Sequence, residues 1–329
     1  MNRGPGGERM VVSGRPGGRV VSYGPRRGFV ERSVRPGYIT RTYVGGRRPY
    51  AHVYREHRYR GFLYYRYVPA IYYGPRFYGW VVTPWSVPVR YAWFGAGAPA
   101  PWFSFYAGYF TPYPMYASPD LWLTDYLLAE NLRLAYQSQQ AGNGGQAGQR
   151  ALAAPNSPTL SPEVKALIAS EIRQQLASDQ APAQTSSDEP PALSQRFFLV
   201  SSNLDASARG QACSLTPGDI IQRKSKDVMP DGSIAVEVVV SKPGSCAVDS
   251  VIAVGIADLQ EMQNQFREQL DLGLKTLADN EADGLPKAPA ANARVVAEGT
   301  AIPLADAEAE LAAQETAASR LEAEVSQDN

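Results

Sequence analysis

Two histidines and two cysteines are all that the 329 residues contain of the imidazole and thiol side chains that bind transition metals and serve as general bases or thiolate nucleophiles. His52 and His57 lie in "AHVYREHRYR", beside Arg55, Arg58 and Arg60, and surrounding positive charge disfavours both a metal cation and an imidazolium. The sequence holds no H-E-x-x-H pair, phosphate-binding loop, calcium loop or nucleophile elbow. "GNGGQA" at 142–147 follows no predicted strand and opens no predicted helix, so it does not read as a dinucleotide loop. The expectation is a non-enzyme without cofactor or metal.

Other absences are regional. Lysine is missing before Lys165, and tyrosine and tryptophan are missing after Tyr136. Residues 1–118 hold 17 arginines against Glu8, Glu31 and Glu56, so the formal net charge of zero is a cancellation between a basic half and an acidic half. Asymmetry of this kind points to an interaction segment joined to something else. At low salt the two halves should attract, and less so at physiological ionic strength.

Along the chain the expected architecture is α+β and modular. Residues 1–50 are rich in Gly, Pro and Arg, which excludes a long helix and reads as largely disordered or a loose hairpin meander. Residues 51–136 are rich in Tyr, Trp and Pro. Between Arg90 and Asp120 they carry no charge, but five prolines and three glycines inside that run argue against a membrane-spanning helix, leaving a compact aromatic cluster or a segment lying in a membrane interface. A helix ends this segment: Ser118 at the cap, Pro119 at the first position and Asp120 in the first turn are start signals.

Residues 137–160 read as a flexible linker, 161–178 as an amphipathic helix that opens on the same signal, with Ser161 at the cap, Pro162 and Glu163, and has a narrow stripe at Val164, Leu167, Ile168, Ile172 and Leu176, and 179–194 as a second linker. A stripe that narrow suits self-pairing into a homo-oligomer, or docking on the C-terminal domain. Residues 195–280 alternate short β-type runs with turns and close with a helix, for which Asp258 and Glu261 outline a capping box. This reads as a small β-barrel-like or rolled-sheet domain. The acidic Ala/Glu-rich tail 281–329 has sparse apolar positions, and a solvated helix is expected there.

Two resemblances bear on function. "CSLTPGDIIQR" at 213–223 resembles the strand-turn of PDZ domains, which implies capture of an extended peptide on a sheet edge. Residues 54–136, with "FYGW", "PWSVPV", "APW" and "YFTPYPMYASPDLWLTDYLL", look similar to uncharacterised bacterial envelope-type proteins rich in Tyr, Trp and Pro. That resemblance implies an extracytoplasmic setting, periplasm or cell envelope, in tension with the lack of a visible signal peptide; a cytoplasmic setting is the alternative. Cys213 and Cys246 fit a disulfide, stabilising by roughly 3 to 4 kcal/mol in the chain-entropy model, with two free thiols the other option.

Candidate binding residues come from "YRGFLYYRYVPAIYYGPRFYGWVVTPWSVPVRYAWF" at 59–94, which has no acid. They are Tyr59, Arg60, Tyr64, Tyr65, Arg66, Tyr67, Arg76, Trp80, Trp85 and Trp93. Rings stack on sugars or bases while arginines meet phosphate or carboxylate. The first expectation is a structural or adhesion protein contacting cell-wall glycan or another anionic surface. A peptide-binding adaptor working through the β domain is the alternative, with a protein or peptide partner. A single-strand nucleic-acid binder comes third, because lysines and a recognisable RNA-binding consensus are lacking.

Overall fold

The chain is represented by a computed structural model that describes residues 2–3, 9–15, 18–24, 27–44, 50–93, 99–141, 159–180, 189–208, 210–295, 306–313 and 316. It contains helices and sheets in similar measure, an α+β fold. Most of the expected 137–160 linker and half of the 179–194 linker lie outside these residues.

Strands β1 (Asn2–Arg3), β2 (Arg9–Arg15), β3 (Gly18–Gly24), β4 (Arg27–Arg35), β5 (Tyr38–Val44), β6 (Tyr50–Tyr59) and β7 (Phe62–Val68) form one antiparallel meander in chain order. Residues 18–24 and 27–44 thus form a hairpin meander, the alternative to disorder given for this segment. Their apolar content is low, but the alternation of short Val, Phe and Ile positions suffices once neighbouring strands and two helices cover the faces. Tight turns fix the register. Pro36-Gly37, with Gly37 at φ 74°, joins β4 to β5, and Arg60-Gly61, at φ 50° and 87°, joins β6 to β7, the left-handed pair that a two-residue hairpin requires.

After β8 (Ile71–Tyr72) come α1 (Pro75–Val82), α2 (Pro101–Tyr106), α3 (Pro119–Ala141) and α4 (Pro162–Gln180). Each opens on a proline, where the missing N–H is no loss, so these prolines start helices rather than break them. Val164 N–H donates to Ser161 Oγ at 3.4 Å, the expected cap of α4. No helix among the described residues is long and apolar enough to cross a membrane.

The C-terminal region has a four-stranded sheet ordered β14-β13-β12-β9, from Phe197–Leu199 (β9), Ile220–Arg223 (β12), Ser233–Val240 (β13) and Val251–Gly255 (β14). The hairpin β10 (Leu204–Ala208) and β11 (Gln211–Leu215) packs Leu204, Ala206 and Ala208 onto the same core. No closed barrel forms among the described residues. Helix α5 (Ile256–Ala278) follows β14 directly, with Gly255 as its N-cap and no side-chain cap. The expected Asp258–Glu261 capping box is therefore incorrect. The helix starts three residues earlier because Ile256 is anchored in the core and donates its N–H to Gly232 O at 2.9 Å.

One hydrophobic core joins the halves. Tyr73, Phe77, Tyr106, Phe110 and Trp122 from the aromatic segment pack with Ile168 and Ile172 of α4, with Leu199, Ile220 and Val240 of the four-stranded sheet, and with Phe266 and Leu270 of α5. The α4 stripe docks inside the chain. Strand β15 (Arg294–Val295) returns to pair with β8. Residues 306–313 form a helix whose Ala307 and Leu311 are buried on Val20, Val30 and Val44. The tail is thus not wholly solvated: two small apolar side chains one turn apart find a matching valine surface. Leu304, Leu321 and Val325 lie outside the described residues.

Candidate functional site

Directly paired residues in an antiparallel sheet point to the same side, so the seven-stranded meander has two assignable faces. One carries Phe29, Glu31, Ile39, Arg41, Tyr43, His52, Tyr54, Tyr65 and Tyr67; the other carries Val20, Val30, Val44, Arg32, Arg35, Tyr38, Arg55 and Arg66.

The first face meets α5, and its charged groups are consumed internally. Arg41, fully buried, donates Nη1 and Nη2 to the Glu261 carboxylate at 2.7 and 2.8 Å and Nε to Glu31 at 3.0 Å, with its guanidinium 4.2 Å from the Tyr54 ring. Tyr54 donates to Glu268, whose other oxygen lies 3.1 Å from His52 Nδ1. Tyr67 donates to Asp271 at 3.0 Å. Asn264 acts as a substitute strand at the free edge of β7: its Oδ1 accepts from Tyr67 N–H at 2.9 Å and its Nδ2 donates to Tyr65 O at 2.7 Å. Burial holds the Tyr54 and Tyr67 hydroxyls well above their ordinary range, with Glu268 and Asp271 adding to the shift. These phenols are fixed donors, not acids at work.

A second buried group is equally structural. Asp125 accepts from Tyr113 N–H at 2.6 Å and Tyr116 Oη at 2.7 Å, and pairs with Lys165 Nζ at 2.7 Å. Burial raises the Asp125 carboxyl and lowers the Lys165 ammonium while their mutual attraction opposes both shifts. Trp93 Nε1 donates to Tyr116 Oη at 2.8 Å, and its ring stacks 6.1 Å from Trp122.

The other face of the meander differs. Arg35, Tyr38, Arg55 and Arg66 lie in one row across β4 to β7, about 14 Å long at the usual spacing between strands. All three arginines are exposed. Arg35 sits 3.9 Å and Arg55 6.0 Å from the centre of the Tyr38 ring. No carboxylate among the described residues forms a salt bridge with them. Arg55 faces Arg66 directly across the hairpin, a like-charge pairing that destabilises a sheet. A bound anion would relieve that repulsion while the ring holds two guanidiniums in place.

The ten sequence candidates are not one site. Tyr64 is buried and stacks on His57 at 5.4 Å, Tyr67 is buried at the α5 seam, and Tyr65 is half-buried there. Tyr59 packs against the C-terminal core, while Trp80, Trp85 and Trp93 pack around the aromatic core, with Trp80 and Trp85 6.3 Å apart. Arg60 at the hairpin turn, Arg66 and Arg76 remain exposed, and of the ten only Arg66 belongs to the row. Sequence reasoning missed Arg35, Tyr38 and Arg55. The signal was present, since a two-residue turn at Arg60-Gly61 forces Arg55 opposite Arg66.

The Cys213–Cys246 disulfide is formed, with Cα atoms 5.0 Å apart, which fits an oxidising compartment. The PDZ-like turn is packed in the interior: Gly218 O accepts from Tyr109 Oη at 2.8 Å. The strand after it, β12, has both edges paired, to β9 and β13, so an added peptide strand would have to use a different edge. Comparison of the chain with protein-family models, with curated proteins and with solved structures gives no match.

Proposed function

We propose that this chain is a non-catalytic, cell-envelope-associated structural or adhesion protein that contacts an anionic wall glycan through the row Arg35, Tyr38, Arg55 and Arg66. The observation that carries the reading is the contrast between the two faces. Arginines on the α5 side are matched by Glu31 and Glu261, whereas the row on the other side is exposed and without an acidic partner among the described residues. A polymer bearing carboxylate or phosphate groups supplies repeated acceptors for such a row, and the Tyr38 edge offers a surface to a sugar ring. The disulfide supports an extracytoplasmic location, and the row needs no cofactor. The rolled β domain serves as the support that holds α5 under the meander.

The test is equilibrium binding of the intact chain to polygalacturonate, long-chain polyphosphate, neutral dextran and single-stranded RNA at physiological salt. Retention on the anionic polymers and not on dextran, lost in Arg55→Glu/Arg66→Glu, is the expected result. Binding to RNA alone would replace the glycan by nucleic acid, and binding unchanged by the double substitution would remove the row from the site.

A further inference from the structure

The helix at 306–313 reads "DAEAELAA": three acids, no base, and two buried apolar side chains four residues apart. It lies on the same face as the arginine row. Ala307 and Leu311 rest on Val20, Val30 and Val44, while Glu310 pairs with Arg32. Arg32 is paired across the ladder with Thr40, and Tyr38 is the next residue of β5 on that face. The cross-strand level of Arg32, which Glu310 holds, is therefore about one side-chain step, roughly 7 Å, from the row.

We infer that helix 306–313 is an internal competitor for the anionic ligand, a strap that occupies Arg32 and places negative charge beside the row until a polyanion displaces it. The inference rests on the proposed role of that row.

Two features make the contact reversible. Among the described residues the hold of the helix is slight: its buried apolar anchors are Ala307 and Leu311, and its ion pair with Arg32 is partly exposed. Glu310 Oε2 is buried without a hydrogen-bond partner, so the docked carboxylate is incompletely satisfied and its release recovers hydration. Displacement also frees the Arg32 guanidinium, giving the ligand a fourth arginine. By linkage, the factor by which the docked helix weakens the ligand equals the factor by which bound ligand weakens docking, so undocking the helix tightens the ligand by at most that factor.

The experiment compares the full chain with Leu311→Asp and, separately, Glu310→Gln, using long-chain polyphosphate as the probe. Circular dichroism and the urea midpoint check that the remainder of each variant is folded. Both variants should bind about five- to tenfold tighter than the unaltered chain, the lower part of the range for coupled sites. In the unaltered chain, saturating polyphosphate should speed amide exchange at 308–313 and leave α5 protected. Equal affinity in all three chains, or exchange at 308–313 unmoved by bound polyphosphate, overturns the competitor while the row stands. Absence of polyphosphate binding in every chain overturns the row itself and the competitor with it.

Discussion

Replacing Arg41 by Met tests whether the two halves of the chain are bound through a dry polar seam. The Arg41 side chain is 2% exposed and holds Glu31 and Glu261 at once. Removing one partner of a buried ion pair costs about 3 to 5 kcal/mol, because the remaining charge is left without compensation. Here the lower end applies: the Glu261 side chain is 46% exposed and regains water, and Glu31 retains Arg19 at 3.1 Å. Met keeps much of the packing over Tyr54, so the loss should be about 3 kcal/mol. With a urea m-value of about 3 kcal/mol per M, the midpoint falls by about 1 M. Arg55→Met, on the exposed row, should stay within about 0.5 kcal/mol. The assay is urea unfolding followed both by far-ultraviolet dichroism and by tryptophan fluorescence. All five tryptophans lie outside the seam, between Trp80 and Trp122. The two signals should shift together, because α5 belongs both to the seam and to the aromatic core. A loss below about 1 kcal/mol would refute the dry seam, and a shift seen by dichroism alone would refute the shared core.

Reduction of Cys213–Cys246, or its replacement by two serines, should lower stability by roughly 3 to 4 kcal/mol for a loop of this length, measured as the drop in urea midpoint. Asp271 titrates in the opposite sense from a surface acid: burial, helped by nearby Asp179, outweighs Arg267 and lifts its carboxyl from 3.8 to about 6. A raised carboxyl binds its proton more tightly in the folded chain, so this contribution is complete below pH 4 and is lost as pH rises through about 6, at about 3 kcal/mol in all. Asp271→Asn should flatten that decline between pH 4 and 7, and a difference from the unaltered chain that is independent of pH would contradict it. Gly61→Ala and Gly218→Ala separate strain from collision. Both have positive φ, but a Cβ at Gly61 meets nothing within 4 Å, whereas at Gly218 it lies 2.6 Å from Leu132 Cδ2. The first should cost about 1 kcal/mol and the second clearly more by thermal unfolding, and equal costs would contradict the packing of this turn on α3.

The sequence by itself determined the local pieces. Ser-Pro-acid openings located α3 and α4, alternation and turns located the C-terminal strands, and two cysteines beside turns matched the disulfide. These signals are local, carried by a few adjacent residues whose backbone preferences act before any tertiary contact. The same local reasoning misplaced the start of α5, because Ile256 is held by the core and Gly232 rather than by a side-chain cap. It assigned no helix at Pro75 or Pro101, where α1 and α2 begin.

What only the tertiary structure decided is which arginines and tyrosines face inward. Arg41 and Arg55 stand in equally basic, aromatic surroundings in the chain. Strand pairing sends the first into α5, where Glu261 waits 220 residues away, and leaves the second in solvent opposite Arg66. That choice depends on register and on the acidic helices that cover each face, both long-range properties. A charge total of zero records the balance between the halves, and only the folded chain shows which positive charges the acidic half leaves uncovered.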